Sequence, residues 1–362
     1  MVRWRTATIT AVRGSWRGAA AYDAEVAGEP GPVAALAYPA LVGEPRVGDR
    51  VLLNVGAQAM GLGTGGYALI VALPDRLPAD PPTDAATRDH GHVVKARYTP
   101  LQPITLGVDE EASPHRAALA DADSLDGMPV VTADLHSALP AILAGVRADR
   151  PDARVAYVMT DGGALPAWFS RTLSGLADHL VGTVTTGQAF GGDLEAVTLH
   201  SGLLAARHVL HADVAIVTQG PGNLGTGTRW SYSGVAVGEA VNAIGVLGGD
   251  PIGALRLSAA DPRPRHRGLS HHAHTSYTRV ALHPATLVLP TPLPPTLAAD
   301  IEAALPALTT RHHVVRVDTD GLDRALRASP VPLRSMGRPY DADPIHFLAS
   351  AAAGRHATTK IP

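Results

Sequence analysis

The chain has 362 residues, enough for two domains of ordinary size, and 46% of them are hydrophobic while only 4% are aromatic. Its core must therefore be built from Ala, Val, Leu and Ile, which leaves few aromatic platforms for stacking bases. Thirty Lys and Arg against 33 Asp and Glu give a net charge of −3, so no field exists to draw nucleic acid. The absence of cysteine excludes disulfides, thiolate metal centres and cysteine nucleophiles.

From Val2 to about Pro74 the chain shows short β-type runs separated by turn residues: Thr6–Val12, Ala19–Val26, Val33–Tyr38, Arg50–Val55 and Tyr67–Leu73. This spacing predicts a small β-barrel or sandwich over residues 1–75. The Pro- and Asp-rich stretch Asp75–Asp89 reads as an exposed connection, within a segment of uncertain membership over 76–127. From Met128 the rhythm changes. Strand-like runs at Pro129–Ala133, Arg154–Thr160 and Leu180–Thr185 precede helix-length segments near Leu135–Ala148, Pro166–His179 and Asp193–Leu210. Asp213–Thr218, Ile252–Ser258 and His313–Val317 look like further strands. Near-continuous apolar strands alternating with helices predict an α/β domain over 128–362, a Rossmann-like, doubly wound and mostly parallel sheet. No run reaches the roughly 18 apolar residues of a membrane span, and the amino terminus has no apolar signal core, so a cytoplasmic protein is expected.

In such sheets ligands bind at the carboxyl ends of the strands, and the loops there are unusual. They read TDGGALP, TGQAFGGDLEA, QGPGNLGTGT and AADPRPRHRGLSHHAHT. Gly220, Gly222 and Gly225 stand in G-x-G-x-x-G register after a strand, but TGTRWSYSG is a poor helix start and Pro221 stiffens the turn. NAD or FAD is therefore not expected. Thr226 stands where a Walker loop has lysine, and the same register recurs at Gly61, Gly63 and Gly66. Backbone donors around Gly220, Gly222, Asn223, Gly225 and Thr226, with Arg265 and Arg267, could instead hold an anion.

Four of the 17 histidines, His266, His271, His272 and His274, fall within nine residues, beside three arginines at 263, 265 and 267. Imidazoles ligate divalent metals and transfer protons near neutral pH. On an extended segment His272 and His274 would share a face, with His271 on the other. His271, His272 and His274, completed by Asp193 or Glu195, are the candidate metal ligands, and Asp161 and Asp261 are further carboxylates at strand ends. The acidic pair also suits a helix's first turn, and Asp161 in TDGG also suits an ordinary turn. The bland alternative for the cluster is a solvated polar loop. Only Lys95 and Lys360 are lysines, and Lys95, flanked by His90 and His92, is a candidate for proton transfer alongside His271, His272 and Asp161. Segment 90–102 could then fold over the sheet edge.

The stretches LNVGAQAMGLGTGG, HGHVVKARYTPLQ, TGQAFGGDLEAVT, QGPGNLGTGT and RHRGLSHHAHT together resemble a bacterial family of conserved proteins, the domain-of-unknown-function family numbered 3866. The resemblance covers most of the chain. It implies a cytosolic bacterial protein, actinobacterial by its Ala and Arg bias, and brings no activity or catalytic residue with it. The expectation is an enzyme acting on a small anionic, phosphorylated or carboxylated, metabolite at the sheet's carboxyl edge. Two alternatives stand beside it: a metabolite-sensing or protein-interaction module, and a homo-oligomer with the glycine and histidine loops at its interface.

Overall fold

Each of the five short β runs at the amino terminus becomes a strand: β1 (Trp4–Trp16), β2 (Ala19–Val26), β3 (Val33–Ala37), β4 (Arg50–Asn54) and β5 (Ala68–Ala72). They close into a barrel in the order β1-β2-β3-β5-β4, with β3 and β5 parallel and the other pairs antiparallel. Alternation along the strands sends Ala7, Ile9, Tyr22, Ala24, Ala35, Val51, Leu53 and Ile70 inward. These small aliphatic groups fill a narrow barrel, as the composition requires. The computed structural model describes residues 2–79 and 91–361, so His90 and most of the Pro- and Asp-rich stretch lie outside the described residues.

The chain divides into two compact units, and the first includes residues 94–104 and 168–174 as well as the barrel. The second addition departs from expectation. A helix was expected over Pro166–His179, but the chain there forms only a short helix at Arg171–Gly175 between two single turns. The reason lies in the aromatic residues. Trp168 and Phe169 pack with Trp16, Tyr38 and Tyr67 against Ala19, Ala21 and Leu36 of the barrel. Trp16 Nε1 donates to Trp168 O at 2.7 Å, and the Arg171 guanidinium lies 3.9 Å from the Trp16 ring centre while donating to Tyr67 Oη.

The second unit carries an eight-stranded, wholly parallel sheet. Its strands are β6 (Pro129–Thr132), β7 (Val155–Thr160), β8 (Gly182–Thr185), β9 (Leu194–Glu195), β10 (Val214–Gln219), β11 (Asp250–Ala254), β12 (Thr286–Thr291) and β13 (His313–Asp318). Their spatial order is β9-β8-β7-β10-β6-β11-β12-β13. From β6 the chain builds toward one edge, returns through β10, and crosses to the far side through β11. The order thus reverses around β10, β6 and β11, where such sheets open a crevice at their carboxyl ends.

Helices cover the sheet. Among them are α1 (Leu139–Asp149), α2 (Leu199–His208), α3 (Ala236–Val246) and α4 (Pro344–Thr358). With so few large side chains, the contact between α1 and α4 is made by close approach of backbones. A Cβ on Gly145 would lie 1.9 Å from Ala351 O, and one on Gly354 would lie 2.0 Å from Ile142 O. Both helices bury nearly their full circumference, which is why α4 reads as an Ala-rich run with little amphipathic pattern. No described helix is long and apolar enough to cross a membrane.

One expectation about the edge is corrected here. Asp193 and Glu195 are not in a helix's first turn, because helix α2 starts only at Leu199, behind a capping box formed by Thr198 and Ser201. They belong to edge strand β9 and its approach. Asp193 Oδ2 accepts from Thr183 N, while Glu195 accepts from Thr185 Oγ1 and Gly191 N.

Candidate functional site

The loops after β10, β6 and β11 meet at the reversal point of the sheet. After β6, Asp134 is buried, and its side chain pairs with Arg256, which follows β11, at 3.3 Å. At the end of β10, Gln219 Nε2 donates to Asp134 O and to Asn223 Oδ1. The three central strands are thereby joined at their carboxyl ends by side chains.

The loop that follows Arg256 turns back on itself. Leu257 and Ser258 pair antiparallel with Gly268 and Leu269, and Ser270 N donates to Arg256 O. Asp261 fastens the excursion. It accepts from both the backbone and the guanidinium of Arg263 and from Arg338, and the Arg263 hydrogen bonds above all hold its carboxyl far below the usual range. Asp261 is thus committed to arginines.

His266 sits at the end of this excursion, buried, with Nδ1 2.8 Å from Ser270 Oγ. Ser270 then caps the helical turn His271–Thr275 by accepting from His272 N. The segment expected to be extended is therefore helical, because the cap satisfies its first free N–H groups. The helix continues as a π-helical turn over Ser276–Val280, a local form frequent at functional sites.

This fold-back puts His266, not His274, beside His271 and His272. Ring centres lie 4.8 Å apart for His266 and His271, 4.8 Å for His266 and His272, and 4.2 Å for His271 and His272. One ligand nitrogen from each residue can be chosen so that all three lie within 4.8 Å of one another. His271 Nε2 and His272 Nδ1 are buried with no hydrogen-bond partner. Burial, reinforced by arginine charge, depresses all three histidines, His266 and His272 to about 3. They are neutral at physiological pH, the form that ligates metal. Tetrahedral zinc with nitrogens at 2.0–2.1 Å needs them roughly 3.4 Å apart, a modest ring adjustment from this arrangement. His274 stands apart from this group, depressed by burial and by Arg279 and Arg229.

Tyr232 closes the site from the glycine-rich side. Its ring stacks on His272 with centres 3.8 Å apart and planes at 3°, and its hydroxyl donates to His272 O at 2.9 Å. One hydroxyl has one proton, so the 2.6 Å contact with Ser276 Oγ is donated by the serine.

The structure assigns the glycines of the 220–228 loop local work. A Cβ on Gly163 would lie 2.2 Å from Gly220 O, and one on Gly220 would lie 2.4 Å from Ala164 O. The loops after β7 and β10 therefore run backbone against backbone, with Ala164 N donating to Pro221 O. Asn223 Oδ1 is turned inward and accepts from Gln219, Ser233 and Gly234. Gly225 bridges to Tyr232, and Thr226 N donates to Ser231 O, making a hairpin instead of a helix start. Gly222 lies at its exposed base, with φ +88°. The loop still comes to the histidines. Arg265 Nη2 lies 3.8 Å from where a Cβ on Gly227 would sit, and its charge bears on His271. Arg267 is exposed.

The remaining two candidates are Asp161 and Lys95. Asp161 Oδ2 accepts from Gln188 N and so orders the turn after β8. Lys95 is fully buried in the first unit, its backbone N–H bonded to Pro103 O, whereas the histidine cluster belongs to the second. His92 pairs with Glu110.

Sequence reasoning passed over Asp134, Arg256 and Tyr232. Arg256 carried a usable signal, as the one charge inside the apolar run Ile252–Ser258. A charge in a strand buried on both faces requires a partner or a ligand. Tyr232 carried none, because its place depends on a loop crossing.

The family described as protein of unknown function (DUF3866) matches residues 34–354. No curated protein matches the chain.

Proposed function

For this chain, which belongs to the DUF3866 family, we propose a metal-dependent enzyme that acts on a small anionic metabolite at the carboxyl edge of its parallel sheet. One observation carries this reading: three neutral histidines converge within 4.8 Å, two of them with buried ring nitrogens that no group among the described residues satisfies. Three protein ligands leave a coordination position open, the pattern of a catalytic rather than a structural zinc site. Ser270 supports it from behind, because its hydroxyl engages His266 Nδ1 and leaves Nε2 as the ligating atom. A divalent metal held there supplies Lewis acidity to an oxygen of the bound substrate. Arg265, beside the glycine hairpin, contributes positive charge for an anionic group. We place the protein in the bacterial cytoplasm.

Metal content of tag-free protein tests the reading. About one equivalent of zinc or another divalent metal should copurify or be taken up by wild type, and be lost in His266→Ala and His272→Ala but kept in His274→Ala. Equal content in all four, or none in wild type after metal exposure, overturns the metal centre. Loaded protein is then offered phosphorylated and carboxylated metabolites. Turnover abolished by chelation supports the enzyme, and binding without turnover gives the site to a sensor.

A further inference from the structure

Arg256 is a buried charge whose guanidinium is mostly unused by the protein. Its side chain is 4% exposed, yet among the described residues its guanidinium makes one hydrogen bond, from Nη1 to Asp134 Oδ2 at 3.3 Å. A guanidinium offers five N–H donors in a planar fork, so most of this fork faces no protein acceptor. Burying such donors without acceptors is costly, and native proteins keep them where a ligand completes the set. The neighbouring arginines are disposed differently. Arg263 lies flat on Asp261 through two parallel bonds, and Arg338 divides its donors between Asp261 and Asp343.

The position of Arg256 is fixed from two sides. Its carbonyl receives Ser270 N, the residue that caps the histidine helix, and its side chain is held by Asp134 at the end of the central strand. Ser270, which donates its N–H to the Arg256 carbonyl, also lies 2.8 Å from His266 Nδ1 through its hydroxyl, so Arg256 is tied directly to the histidine cluster.

We propose that Arg256 is the receptor for a carboxylate of the substrate, which places a carboxylic acid at the three-histidine centre. This deepens the reading of the edge as an anion-binding metal site and rests on it. A planar fork matches the two oxygens of a carboxylate. Burial raises the Asp134 carboxyl against the pull of Arg256, and a single guanidinium charge suits a monoanion better than a phosphate dianion, which would draw on the exposed Arg265.

Propionate and succinate are titrated calorimetrically into zinc-loaded protein, with inorganic phosphate as the phosphoryl probe. Carboxylates should bind wild type, and binding should weaken at least tenfold in Arg256→Lys, which keeps the charge and loses the fork. Because Arg256→Lys disturbs a buried pair, the charge-free double variant Asp134→Asn with Arg256→Gln is measured beside it. It removes both charges together, and it should keep its metal while losing the carboxylate. Absence of carboxylate binding by wild type overturns the proposal. So does unchanged binding in a folded variant, or tighter binding of phosphate that depends on Arg265 and not Arg256. Carboxylate binding that needs Arg256 in protein unable to hold zinc would remove the metal centre and leave this inference standing.

Discussion

The contact between α1 and α4 and the histidine edge of the sheet belong to the same unit, and they use their buried atoms in opposite ways. At the helix contact the side chains shrink to hydrogen at Gly145 and Gly354, and the facing carbonyls approach until no Cβ could be added. At the edge, large polar side chains are buried, two histidine ring nitrogens have no partner among the described residues, and the Arg256 guanidinium makes one hydrogen bond. Tight packing serves stability and tolerates no change. Unsatisfied polar groups serve stability badly, and their retention points to a ligand.

The sharpest way to break this contrast is Gly354→Val. Its Cβ meets the Ile142 carbonyl, which is backbone and cannot rotate away, so we expect a loss of about 3 kcal/mol or more, or insoluble protein. His272→Ala, by comparison, should cost far less stability. A Gly354→Val protein with an unchanged thermal midpoint would show that the helices part easily, and the account of this contact would fail.

Buried histidines away from the cluster predict a pH effect of similar size. Burial, with Arg256 adding to it, pushes His346 down to about 4, against an ordinary value near 6.5. The unfolded chain therefore binds the proton first as pH falls. The stabilising share is complete above about 6.5, declines through the interval, and is fully lost below about 4, a loss on the order of 3 kcal/mol. His136, likewise near 4 through burial, acts in the same direction. Denaturation of His346→Gln between pH 7 and 4 should show a shallower decline than wild type. Parallel curves would exclude His346 from the acid response.

Ligand addition acts only on the edge. Zinc at a hundredfold excess over its Kd should stabilise wild type by about 2.7 kcal/mol and leave His272→Ala unmoved. A rise of equal size in both would locate the metal elsewhere. The smallest effect is expected far from either region, at the capping box of α2. Thr198→Ala removes the acceptor for Ser201 N and should cost about 1 kcal/mol, with metal content unchanged. Coupled loss of metal in that variant would mean that the edge feels the whole unit's stability, and the separation drawn here would not hold.

Much of this protein is legible without a structure, for local reasons. The five barrel strands and six of the eight parallel strands, all but β9 and β12, fall where apolar runs and turn residues put them, because hydrophobic periodicity is carried by neighbours in sequence. The carboxyl-edge loops also announce themselves through Gly, His and Arg density. What failed locally failed for identifiable causes. Asp193 and Glu195 looked like a helix start, but edge pairing with β8 claimed Glu195 for a strand, and Asp193 just before it accepts from Thr183 N. Segment 168–174 looked helical, but a cluster of aromatics drew it to the barrel.

By itself, then, the sequence determined the barrel-plus-α/β architecture and the sheet type, since composition and periodicity act over a few residues. The tertiary structure alone decided which histidines meet. His266 joins His271 and His272 because a fastened excursion returns it to Ser270, and Asp134 finds Arg256 across more than a hundred residues because their strands lie side by side. Such pairings depend on strand order, and no local pattern encodes it.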